Sequence, residues 1–62
     1  MNRIKEFREK QNMTQQELSK KSGISRSYIS QLENNKFSII KSSTMTAIAD
    51  ALKKPVSTIF FK

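Results

Sequence analysis

Arg26, Ser27, Ser30 and Gln31 are the side chains in this sequence best suited to recognition chemistry. Ser27, Ser30, Gln31 and Asn34 fall at i, i+3, i+4 and i+7, so a helix would set them on one face. A solvated helix face usually carries Lys and Glu, whereas this one carries short or planar hydrogen-bonding groups. An arginine fits guanine O6 and N7, a glutamine fits adenine N6 and N7, and a serine donates or accepts. The chemistry they point to is reading of base edges in a DNA major groove. The alternative is a polar, solvated face of a small bundle, and the side-chain types favour the groove. Catalytic chemistry has little to work with. The chain has no histidine and no cysteine, and its five carboxylates are scattered. The usual general bases, thiol nucleophiles and soft metal ligands are therefore missing. One glycine cannot build a phosphate-cradling loop. We expect no enzyme, no metal and no cofactor.

Two helical patterns joined at Gly23 must position that face. Thr14 can cap a helix, and Glu17 stands three residues later, where it completes a capping box. Ser22 and Gly23 end this first pattern, and the single glycine fits a left-handed backbone position. Ile24 follows as an apolar plug, Ser25 is a second cap, and a second helix runs Arg26 to Glu33 with Ile29 and Leu32 on its inner face. Two helices linked by a tight glycine turn form a helix-turn-helix, whose second helix enters the groove.

Charge and size agree with a nucleic-acid partner. Twelve Lys and Arg against five Asp and Glu give a net charge of +7 on 62 residues. So large a surplus favours polyanions, nucleic acid first and an anionic membrane second. The rival explanation is solubility alone. Residues 1–62 read as one small domain with no disulfide to staple it. No apolar run approaches the ~20 residues needed to span a bilayer, and the N-terminus has no signal-peptide core. The expected location is cytoplasmic, on the nucleoid or on a phage or plasmid genome.

The motif resembles the DNA-binding helix-turn-helix of the Cro/CI-type phage repressors, the XRE family. The residues that carry the likeness are Met13-Thr14-Gln15, Glu17-Leu18, Gly23-Ile24-Ser25, Arg26 to Ser30 and Leu32-Glu33-Asn34, and similarity extends from Ile4 to Phe60. Ser19 and Ser22 depart from the family's usual alanine and apolar residue, Asn35 and Lys53 from its frequent glycines. The resemblance implies an all-α, lambda-repressor-like bundle of about five short helices. It implies that Arg8 pairs with Glu33, and that Gln15 anchors its helix N-terminus on a phosphate, as the positive end of the helix dipole also favours. Asn34, Lys36 and Lys41 fall where family members approach the sugar-phosphate chain. With Gln15, Ser25 and Tyr28 they complete the expected phosphate contacts.

The remaining segments read as scaffold, with one exception. A first helix is expected over about Asn2 to Gln11, with Asn2 as cap and Ile4 and Phe7 facing inward. Glu6 and Lys10 form an i, i+4 pair worth a few tenths of a kcal/mol at most. A fourth helix is expected from Ser42 or Ser43 to Leu52 or Lys53, with Met45, Ile48, Ala49 and Leu52 as its inward stripe. Pro55 opens a last short helix that returns Val56, Ile59 and Phe60 to the core. The exception is the loop holding Phe37, Ile39 and Ile40, which either folds back on the core or meets a partner. Homologous repressors pair partly through this region. Those three are therefore candidate dimer contacts, and Phe61 is another, because it and Phe60 cannot both point inward on one helix face.

The expected function is a transcriptional regulator, a repressor, binding a palindromic double-stranded DNA operator as a homodimer with half-sites roughly 34 Å apart. No small-molecule ligand and no membrane partner is expected. The alternative is a protein-interaction module on the same fold, an antirepressor or an antitoxin, working through the apolar loop and the C-terminus.

Overall fold

A computed structural model describes residues 2–36 and 39–60. Its helices are α1 (Ile4–Lys10), α2 (Gln15–Ser22), α3 (Arg26–Glu33), α4 (Ser42–Ala51) and α5 (Val56–Phe60), and among the described residues there is no strand. Among the described residues no helix is long and apolar enough to cross a membrane. Each helix is too short to persist alone in water, so packing of apolar faces must hold it. Ile4, Met13, Leu18, Ile29, Leu32, Ile48, Ala49, Leu52 and Ile59 form the buried cluster, drawn from all five helices and the turn after α1. α2 packs on α3 and α4, and α1 on α3 and α5.

Local chemistry explains where the helices begin and end. Thr14 Oγ1 accepts from the Glu17 N–H at 3.1 Å, and Glu17 Oε1 accepts from the Thr14 N–H at 2.8 Å. This is the reciprocal capping box its spacing predicts. Gly23 takes φ 75° and donates its N–H to the Ser19 carbonyl at 2.9 Å. Three other helices end on left-handed residues that are not glycine: Asn12 (φ 54°), Asn35 (φ 57°) and Lys53 (φ 58°). Each is followed by a six-to-one bond back into its helix, Met13 to Arg8, Lys36 to Gln31 and Lys54 to Ala49, all at 3.0 Å. These are Schellman ends, which satisfy carbonyls the helix leaves free.

Two expectations are corrected. α1 begins at Ile4 with Arg3 as its cap residue, later than the expected Asn2. Asn2 lies before the helix; its Oδ1 accepts from the Ile4 N–H at 3.1 Å, and its Nδ2 donates to the Leu32 carbonyl at 2.8 Å. In α4, Thr44 is buried while Met45 is only half-buried, so the inward stripe is rotated by one residue at its start. Val56 and Phe60 pack against the cluster from its edge, and Ile59 fills its interior.

Candidate nucleic-acid interface

The apolar residues of α3 fix which way its polar residues face. Ile29 and Leu32 are buried, and Tyr28 packs on the core as a half-buried ring. The opposite side of the helix is therefore turned outward. Arg26, Ser27 and Gln31 are exposed, and Ser30 is half-buried. These four, with Gln15 from the first turn of α2, line one open cleft. Residues 11 to 16 positions apart in the chain thus share a single surface, because the turn at Gly23 folds the start of α2 alongside α3.

The N-terminus of α3 is capped by Ser25, whose hydroxyl accepts from the Tyr28 N–H at 3.2 Å. Its C-terminus carries the charged network that ties three helices together. Arg8 Nε donates to Glu33 Oε2 at 2.7 Å, Arg8 Nη2 to Glu33 Oε1 at 3.3 Å, and Arg8 Nη1 to the Met13 carbonyl at 2.7 Å. Gln15 Nε2 donates to Glu33 Oε1 at 3.0 Å. The Glu33 side chain is only 4% exposed and that of Arg8 11%, so both charges are withdrawn from water and must be compensated by each other. The Glu33 carboxylate beside it raises the Arg8 pKa above its ordinary value. Among the described residues no buried side-chain nitrogen or oxygen lacks a partner.

The other described residues predicted from the sequence lie outside the lining of this cleft. Asn34 is the C-terminal cap residue of α3, Lys36 lies just beyond it, and Lys41 is the cap residue of α4 with no side-chain cap bond; all three are exposed. Ile39 is 85% exposed, whereas Ile40 packs against the core. Phe37 and Phe61 lie outside the described residues.

Four supporting residues make hydrogen bonds that the sequence reading does not assign to them. Asn2 and Gln11 each donate a side-chain amide to a helix-end carbonyl, Asn2 to Leu32 and Gln11 to Leu52 at 2.7 Å. Ser19 Oγ donates to the Ile24 carbonyl at 2.6 Å, and Ser22 Oγ accepts from the Ile24 N–H at 3.2 Å. The departure of both serines from apolar types was the one signal that they do something polar.

Two short helices joined by a left-handed glycine, the second carrying an outward polar face over a buried apolar one, define a helix-turn-helix DNA-binding protein. The family model described as helix-turn-helix matches residues 4–59, and the chain belongs to that family, of the Cro/CI or XRE type. Comparisons with curated proteins and with solved structures found no match. The protein is a DNA-binding helix-turn-helix regulator.

Proposed function

We propose that the protein is a sequence-specific transcriptional repressor that binds a palindromic operator as a homodimer, with α3 in the major groove. The observation that carries this reading is the cleft shared by Gln15, Arg26, Ser27, Ser30 and Gln31, open to solvent and uncovered by the described loops. Arg26, Ser27, Ser30 and Gln31 read base edges, their planar or hydroxyl groups matching donors and acceptors there. Gln15, Ser25, Tyr28, Asn34, Lys36 and Lys41 grip phosphates and set the register. Arg8 and Glu33 hold the end of α3 against α1, and Gln15 shares the same carboxylate. Repression follows from occupying a promoter.

Selection of bound sites from random duplexes supplies the operator. Titration of Arg26→Ala and Gln31→Ala on operator and on random DNA then tests the reading. Each variant should lose about 1–3 kcal/mol per half-site on the operator and little on random DNA. Equal losses on both would remove the base-reading assignment.

The second reading, a protein-interaction module, draws on Ile39, a large apolar side chain 85% exposed in the segment between α3 and α4. Salt separates the two. DNA binding falls steeply with salt through counterion release, while an apolar contact does not.

A further inference from the structure

The turn between α2 and α3 is braced by hydroxyl groups at both serine departures. Ser19 lies one turn before the end of α2 and is half-buried. Its carbonyl accepts the Gly23 N–H at 2.9 Å, and its hydroxyl donates to the Ile24 carbonyl at 2.6 Å. Ser22, the last residue of α2, accepts the Ile24 N–H at 3.2 Å. Both peptide groups of Ile24 are therefore tied back to α2, and the next residue, Ser25, caps α3. The side chain of Ile24 adds a packing contact with the core. A turn with an ordinary alanine and an apolar residue at these positions would leave those two backbone groups to water.

We infer that Ser19 and Ser22 are positioning residues for sequence reading: they fix the direction in which α3 leaves the turn. The inference rests on α3 being the base-reading helix. Bidentate contact with base edges is sensitive to displacements of well under an ångström, because hydrogen bonds weaken steeply with angle. Attraction to phosphates is long-ranged and tolerant. A looser turn therefore lowers operator affinity while leaving random-sequence affinity in place. A role in stability alone would lower neither, provided the protein is folded at the temperature of measurement.

The experiment compares wild type, Ser19→Ala, Ser22→Ala and the double variant on the selected operator and on a random duplex, well below each variant's melting midpoint. Amide hydrogen exchange at Ile24 is followed alongside. The double variant should lose about tenfold in the ratio of operator to random affinity, with random affinity within about twofold of wild type. Ile24 exchange should accelerate in Ser22→Ala. Ser19→Thr, which keeps a hydroxyl, should recover most of the ratio that Ser19→Ala loses. A sequence-selective wild type whose double variant keeps the full ratio overturns the positioning role alone. A wild type with no preference between the duplexes overturns the base-reading assignment as well. If the double variant fails to fold, the single variants and the threonine rescue decide in the same way.

Discussion

At the scale of single residues, Glu33 is the group on which most depends. It is a buried carboxylate shared between an arginine fork and a glutamine amide, from α1 and α2 respectively. Removing one partner from such a pair costs about 3–5 kcal/mol, because the other charge is left buried and unpaired. A chain of this length has a total stability of roughly 3–9 kcal/mol. Arg8→Met should therefore lose about half or more of its stability, read by urea titration followed by circular dichroism. Arg8→Met with Glu33→Leu should be more stable than Arg8→Met alone, since no uncompensated charge remains. A double variant no better than the single would mean that the Met13 carbonyl and the Gln15 amide, rather than charge, set the cost. Glu17 supports a second prediction. The Thr14 N–H bonded to its carboxylate holds the Glu17 pKa below its ordinary value of 4.5. Deprotonated Glu17 therefore favours the fold above that value, and the advantage fades as pH falls through the lower folded-state value. Glu6 behaves alike, its pKa lowered chiefly by the Arg3 hydrogen bond. Stability should fall as the pH drops below about 4.5. Glu17→Gln, which can still close the capping box, should show a shallower fall in melting temperature than wild type over that range.

At the scale of elements, helix ends decide how well this chain folds, and they are also where the sequence was most and least informative. The capping box at Thr14 and the left-handed turn at Gly23 were legible, because they depend on residues three or fewer apart. The five helices and the apolar face of α3 were legible from period. The helix α1 starts two residues after Asn2, whose Oδ1 accepts from the Ile4 N–H while its Nδ2 reaches Leu32, 30 residues away. Gln11 reaches Leu52 across 41 residues. No local pattern encodes such pairings. Likewise the types on α3 marked out a candidate site, but not the hydrogen bond from Gln15 to Glu33 at its border. The left-handed ends lead to a paired prediction. An added Cβ at Gly23 would meet nothing within 4 Å, so the glycine is needed for its φ and not for space. Gly23→Ala should cost about 1–2 kcal/mol, the ordinary penalty for a left-handed residue with a side chain. Lys53 already carries that penalty at φ 58°. Lys53→Gly should therefore stabilise by about 0.5 kcal/mol, the gain being partly offset by the greater freedom of glycine in the unfolded chain. Thermal scans should show a drop of about 5–10 °C for the first and a rise of a few degrees for the second.

At the scale of the whole molecule, the surplus of +7 on a body of 25 × 21 × 18 Å gives attraction to any duplex, and the cleft on α3 must convert attraction into choice. Neither feature reveals how many copies bind, yet salt dependence can count them. Each phosphate neutralised by a lysine contributes about 0.9 to the slope of log affinity against log salt concentration. Lys36 and Lys41 are exposed, beyond the end of α3 and at the start of α4. In a two-fold complex every substitution acts twice. Lys41→Ala should therefore lower the operator slope by about 1.8 if a dimer binds, and by about 0.9 if a single copy does. The sequence preference should be unchanged, since a backbone contact carries no base information. The exposed Ile39 gives an independent arm. If it lies between the two copies, Ile39→Ser should raise the protein concentration at half-saturation and make binding less steep in concentration, with the melting temperature of the monomer unaltered. Sedimentation equilibrium on the free protein then shows whether pairing precedes DNA. A slope change near 1.8 with a dimer detectable only on the operator would mean that the duplex itself assembles the pair. A slope unchanged by Lys41→Ala would remove that lysine from the phosphate contacts.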